Sequence, residues 1–155
     1  IRLRDVDPDW PDRWLLLFVC HTPETYCEVG RVQSGGNRAL CVAVHDAAPG
    51  EPPVPAALRR LEGLRLEPCE PDYDAARTPY LSGDPFVYGH VGEPAGSVSG
   101  FIPECPDCHS PMRFVAQFEE GPDVDSAMPF NGTTAFAYVC AQCFERAAMF
   151  VDDFF

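Results

Sequence analysis

The chain has 155 residues, 46% of them hydrophobic, and its 24 acidic against 11 basic side chains leave a formal charge of −13. That length supports one sizeable core and is short for two ordinary domains, so a single domain over residues 1–155 is expected. The charge repels phosphate backbones, which argues against a nucleic-acid partner, and no apolar run approaches the roughly 18 residues of a membrane helix.

Seventeen prolines and twelve glycines interrupt the chain too often for long helices. The apolar stretches between them are short and rich in Val, Phe, Tyr and Leu, so the expected fold is mainly β, in detail α+β with one short helix and antiparallel sheets. Strands are predicted near 14–20, 26–33 and 38–44. Ser34-Gly35-Gly36-Asn37 joins the last two, since glycine and asparagine accept the positive φ that a tight hairpin needs. Residues 47–53 are rich in proline and glycine and read as a connecting loop. The one short helix is placed at 55–62, where Ala57, Leu58 and Leu61 recur at helical spacing, Pro55 suits a first turn and Gly63 a stop. Further strands are predicted near 64–68, 86–91, 112–118, 133–139 and 147–151. Leu17-Phe18-Val19-Cys20 and Ala137-Tyr138-Val139-Cys140 both run an apolar strand into a cysteine. Two pseudo-repeated halves, a β-rich 1–85 and a zinc-ribbon-like 86–155, are one reading of that echo, and a chance match of four residues is the other.

Four of the eight cysteines form two Cys-x-x-Cys pairs, Cys105-Pro106-Asp107-Cys108 and Cys140-Ala141-Gln142-Cys143. Each short turn aims two sulfurs at one point, and four thiolates match the tetrahedral cage of a zinc ion. One structural Zn2+ is therefore expected on Cys105, Cys108, Cys140 and Cys143. A cage closed by four protein ligands leaves no position for water or substrate, so this metal holds the fold and does no chemistry. Pro106 and Pro111 restrict the first knuckle loop and lower the entropy lost on closing it. The rival reading of eight cysteines is a secreted disulfide framework. No charged and then apolar leader opens the chain, and a core of this size needs no staples, so reduced thiols and a cytoplasmic location are expected. Cys20, Cys27, Cys41 and Cys69 fall in no comparable pair. With His21 or His45, the set Cys20, Cys27 and Cys41 would make a second metal site only at irregular spacing.

Cys105-Pro106-Asp107-Cys108-His109, then Met112-Arg113-Phe114-Val115-Ala116-Gln117-Phe118, then Phe136-Ala137-Tyr138-Val139 into the second pair, resembles the YwqG-like family of bacterial proteins. That family is similar to the C-terminal domain of programmed cell death protein two, with which it shares a first knuckle, a Met-x-Phe-x-x-Gln strand and a strand into a second knuckle. The resemblance covers mainly residues 86–150. It departs from the family pattern at Glu93, which stands for a glycine with no tryptophan following, and at His109, which replaces the knuckle glycine. The resemblance implies a β-rich, zinc-holding module without catalysis, with an immunity-like or dedicated-chaperone role.

Several other constellations are incomplete. Asp5-x-Asp7-x-Asp9 starts like a calcium loop, but Trp10 and Leu16 stand where glycine and glutamate are required. Cys20 and His21 are adjacent on a predicted strand and so point to opposite faces. Phosphate-binding Gly-rich loops, G-x-S-x-G elbows and H-E-x-x-H helices are missing, and no catalytic residue is assigned. A metal- or thiol-dependent enzyme and a nucleic-acid-binding zinc ribbon are the alternative readings. The preferred one is a non-enzymatic protein-interaction module with a basic protein partner. Glu119, Glu120, Asp123 and Asp125 follow the 112–118 strand, and Phe154 and Phe155 close the chain beside Asp152 and Asp153. Carboxylates set among aromatics suit a surface that steers and holds a basic protein, so those six residues are the candidate partner-binding set. The plain reading of the same residues is a solvated loop and tail.

Overall fold

The computed structural model describes residues 1–18, 37–46, 89–92, 102–118 and 134–152. Among them the chain is mainly β, with one short helix and two antiparallel sheets. The helix α1 spans Leu3–Val6 and the strands are β1 Arg13–Phe18, β2 Arg38–Ala43, β3 Gly89–Val91, β4 Arg113–Phe118, β5 Thr134–Val139 and β6 Ala147–Asp152. A 3-10 turn, Val44–Asp46, follows β2.

β1 and β2 form a two-stranded ribbon whose register runs unbroken from Arg13↔Ala43 to Phe18↔Arg38. Side chains alternate across such a ribbon, so Arg13, Leu15, Leu17, Ala39 and Cys41 share its inner face. Leu15 is 1% exposed, whereas Trp14, Leu16, Phe18 and Leu40 stand exposed on the outer face. The second sheet has the order β3-β4-β5-β6, all antiparallel. β5 is buried along its whole length, with Ala135, Ala137 and Val139 in one core and Phe136 and Tyr138 in another. The first core lies between the ribbon and the sheet, where Leu3, Trp10 and Leu15 meet Ala135, Ala137, Ala147, Val115 and Met149. Small alanines on the sheet leave room for the large side chains descending from α1 and β1, which is how facing layers reach close packing.

Two local irregularities set the second sheet. The β4–β5 register shifts between Phe114 and Ala116, and this bulge puts Val115 in the ribbon-side core while Phe114 meets Tyr138 edge to face, centroids 5.9 Å apart. Gly89 has φ 154, and a Cβ there would run into the Gln117 carbonyl oxygen, so β3 approaches β4 only because this residue is glycine.

The predicted helix at 55–62, the strands at 26–33 and 64–68 and the hairpin residues 34–36 lie outside the described residues. The described helix is at Leu3–Val6, a single turn closed by Asp7 N–H donating to the Leu3 carbonyl at 3.1 Å. One turn is too short to show a 3.6-residue period, so apolar spacing gives no sign of it. The remaining strands fall where expected to within two residues wherever they are described. The two-halves reading is not shown, since Val19 and Cys20, half of its echo, lie outside the described residues.

The burial pattern of β1 gives a direct test. Leu15→Ala should cost about 2–5 kcal/mol in urea unfolding of the intact chain, as large-to-small changes in packed cores do. Leu16→Ala, one residue along and facing outward, should cost less than about 1 kcal/mol. Equal losses would mean that the ribbon's faces are assigned the wrong way round.

Candidate metal centre

β4 and β5 bring the four cysteines together. The first knuckle, 105–108, precedes β4, held to it by the Glu104↔Pro111 bridge and by Met112 N–H donating to the Pro103 carbonyl at 2.8 Å. The second knuckle begins at Cys140, the residue after the end of β5. Arg113 pairs with Val139 at that end of the ladder, so both knuckles emerge side by side.

The two loops share one hydrogen-bond plan. His109 N–H donates to the Cys105 carbonyl and Phe144 N–H to the Cys140 carbonyl, both at 2.9 Å. Cys105 N–H donates across its loop to Ser110, and Cys140 N–H to Arg146, again at 2.9 Å. Each loop closes on a residue with left-handed backbone, His109 at φ 56 and Phe144 at φ 52. Glycine is the usual occupant of that conformation, and the His109 that replaces it adopts it regardless.

The sulfurs of Cys105, Cys108 and Cys140 all lie within 4.8 Å of one another. Cys143 lies near Cys140 and Cys105, both of which help to lower its thiol. Cys108 and Cys140 are 3.5 Å apart between Sγ atoms. The edge of a tetrahedron with metal–sulfur bonds of about 2.3 Å is about 3.8 Å, while a disulfide bond is about 2.05 Å. All four are free thiols, and the cluster of Cys105, Cys108 and Cys140, with Cys143 beside it, can hold a metal ion. Among the described residues it is the only group of metal-ligating side chains so placed.

The surroundings favour thiolates at the two outer sulfurs. Backbone and hydroxyl hydrogen bonds from Ser110, joined by the Cys140 thiol, push the exposed Cys108 thiol down to about 7. The Glu145 amide lowers Cys143 in the same way, so each knuckle aims the amide two residues on at its second sulfur. Cys105 and Cys140, the first of each pair, are buried, and burial pushes Cys140 up to about 11 against the amides of Cys143 and Gln142. A cation among these sulfurs would offset that burial penalty.

Packing fixes the cage from behind. Met112, Phe136, Tyr138 and Ala148 bury Cys105 and Cys140, with Phe114 at their edge. Arg146 reaches from the second knuckle to Asp107 in the first at 2.6 Å. Both side chains are about half exposed, so the ion pair adds little stability and mainly sets orientation. Phe144 is held by Trp10, centroids 5.9 Å apart, and the Arg113 guanidinium sits 5.0 Å from the other ring's centroid, that of Trp10. Arg113 also reaches Asp7 at 4.0 Å. The other carboxylate oxygen of Asp7 caps a local turn, accepting from Asp9 N–H at 3.0 Å.

Of the other residues singled out from the sequence, Glu119, Glu120, Asp123, Asp125, Phe154 and Phe155 lie outside the described residues, as do Cys20, Cys27, Cys69 and His21. Cys41 is described, and it sits on the ribbon face turned toward the sheet, packed on the core that also takes Phe144. Its placement by the second knuckle, with Arg13 and Glu145 beside it, has no sequence signal, because it comes from the ribbon lying against β6. No family model matches this chain, and neither a curated protein nor a solved structure is significantly similar to it.

Two substitutions separate the site's parts. Cys140→Ser should drop metal content from about one per chain to near zero by elemental analysis and disorder the sheet end, because metal binding and folding are coupled. His109→Gly should leave metal content alone and raise stability by about 0.5–1 kcal/mol, since a left-handed residue costs about 1–2 and glycine's freedom returns part of it. Phe144→Gly should destabilise, as it loses the Trp10 contact. Metal retained in Cys140→Ser would remove this residue from the ligand set.

Proposed function

We propose that the chain is a non-enzymatic protein-interaction module, held by one structural zinc on Cys105, Cys108, Cys140 and Cys143, that binds a basic protein partner. The observation that carries this reading is the closed sulfur set. Four thiols from two matched knuckles would fill a tetrahedral site, and a filled site would have no coordination position left for substrate. Zinc fits better than harder cations because all the donors are soft thiolates, and such an all-sulfur tetrahedron suits zinc without redox change.

The acid excess supports the choice of partner. A chain at −13 attracts cationic surfaces and repels phosphates. Among the described residues Arg2, Arg13, Arg113 and Arg146 are each tied to a carboxylate, which takes away from any basic face a nucleic acid would need. The exposed Trp14, Leu16, Phe18 and Leu40 give one side of the ribbon apolar surface of the kind interaction sites use. On the knuckle and strand motifs around residues 105–143 we read the chain as a relative of the YwqG-like family, with an immunity-like or dedicated-chaperone role.

The alternative with an observation in its favour is a thiol-dependent enzyme, because Cys108 is exposed and its thiol is lowered to about 7. A hydrolytic or transfer activity lost in Cys108→Ser protein that still holds its metal and fold would favour that alternative.

Capture of partners from the native cell, followed by association kinetics with the purified partner, tests the main reading. The partner should be basic, and its association rate should fall as salt rises, since exposed charges are screened over roughly 8 Å at physiological ionic strength. Replacing Glu119, Glu120, Asp123 and Asp125 by their amides should slow association and leave the far-ultraviolet spectrum unchanged, and Phe154 and Phe155 are the proposed apolar anchors. An acidic partner, or a rate indifferent to salt, would overturn it.

A further inference from the structure

Cys108 and Cys140 stand in opposite surroundings although their sulfurs are in contact. Cys108 is exposed, in a run of exposed residues from Pro106 to His109. Cys140 is fully buried among Met112, Phe136, Tyr138 and Ala148. The two Sγ atoms are hydrogen-bonded at 3.5 Å, across the two knuckles and between residues 32 apart in the chain. A disulfide bond is about 2.05 Å long, so these sulfurs need to approach by about 1.5 Å to pair. The second knuckle is the better anchored of the two. Cys140 follows β5 directly, its N–H donates to the Arg146 carbonyl and its carbonyl accepts from Phe144 N–H, both at 2.9 Å, and Phe144 packs on Trp10. Cys108 sits at the outer turn of its loop, which the half-exposed Asp107–Arg146 pair ties to the other knuckle.

We propose that Cys108 is a peroxide-oxidation site and that Cys140 resolves it, so that a disulfide forms across the two knuckles and withdraws both sulfurs from the metal. Release of the ion rests on the metal reading above, whereas the pairing rests on the placement of the two sulfurs. Hydrogen peroxide reaches Cys108 first, because Cys105 and Cys140 are buried and Cys143 is half-buried. The Cys108 thiolate attacks one peroxide oxygen, the O–O bond breaks, and the products are a sulfenic acid and hydroxide. The Cys140 thiolate, already in contact, then attacks the Cys108 sulfur, the S–O bond breaks, and a second hydroxide leaves with the electron pair. Two thiolates have lost two electrons and the peroxide has gained them. Cys105 and Cys143 are then half a cage, and two sulfurs hold an ion far more weakly than four. Because Cys140 is the anchored partner, Cys108 makes the approach, and the first knuckle is drawn inward.

The test treats the metal-loaded full chain with hydrogen peroxide, follows metal release with a chromophoric chelator, traps sulfenic acid with dimedone, and maps disulfides by mass spectrometry after alkylation. Cleavage before Asp107 separates Cys105 from Cys108, and fragmentation of the linked peptides distinguishes Cys140 from Cys143. The early dimedone adduct should lie on Cys108. The main disulfide should join Cys108 to Cys140, appear in step with metal release, and revert when dithiothreitol and zinc are added together. Cys108→Ser protein, where it keeps its metal, should release it several-fold more slowly at the same peroxide concentration. The inference is overturned by a first adduct on another cysteine, by disulfides confined within each Cys-x-x-Cys pair, or by a Cys108–Cys140 link formed with the metal retained. If Cys108→Ser loses its metal on purification, the adduct and disulfide maps of the parent chain decide. A parent chain that binds no metal from the outset would remove the metal reading and the release with it, and the same maps would still uphold or overturn the pairing of Cys108 with Cys140.

Discussion

Arg113 lies opposite Val139 at the end of the β4–β5 ladder, and this register position places the two Cys-x-x-Cys loops shoulder to shoulder. Slipping it by one residue would turn Phe136 and Tyr138 toward the ribbon and aim the second pair of sulfurs away from the first. The bulge at Val115 serves the same end, because the extra residue lets β4 feed both cores while its start stays aligned with Cys140. Behind the knuckles, Met112, Phe136 and Tyr138 exclude water from Cys105 and Cys140. The buried Cys140 sulfur is costly to ionise alone, and a bound cation is what would make its ionisation favourable.

The second knuckle is tied to the rest of the molecule more strongly than the first. Phe144 meets Trp10, Trp10 lies under Arg113, and Glu145 reaches Arg13 on the ribbon. The first knuckle meets solvent at Cys108 and His109, and its link across the cage is the exposed Arg146–Asp107 pair. This asymmetry bears on the left-handed residues. Phe144 recovers the cost of its conformation through burial against an aromatic ring, while His109 is exposed and has no comparable contact. A metal shared between the loops would then connect a firmly packed half to a looser one, so its loss would be felt first around residues 105–110.

The functional reading joins a rigid, closed cage to a charged surface. On that reading, sulfur ligation would act in folding free energy and leave recognition to the remainder of the chain. The ribbon is unusual in that β1 is apolar on both sides, Leu15 and Leu17 toward the sheet and Trp14, Leu16 and Phe18 outward. Strands of that composition belong under cover on both faces.

That cysteines of the two Cys-x-x-Cys pairs would cluster was readable from the sequence, because sulfur spacing within each knuckle is a local property fixed by the reach of a short turn. The antiparallel, mainly β character was equally local, set by frequent proline and glycine and by β-branched and aromatic runs such as Arg113–Phe118 and Thr134–Val139. The single-turn helix Leu3–Val6 was not readable, being shorter than the period by which helices are recognised. Nor could spacing show that Trp10 would lock Phe144 in place, or that Cys41 would pack on the same core as Phe144. Those contacts join residues more than 100 apart in the chain, and they exist only because the ribbon lies across β6 with its inner face buried, a choice made by packing area and not by any local propensity.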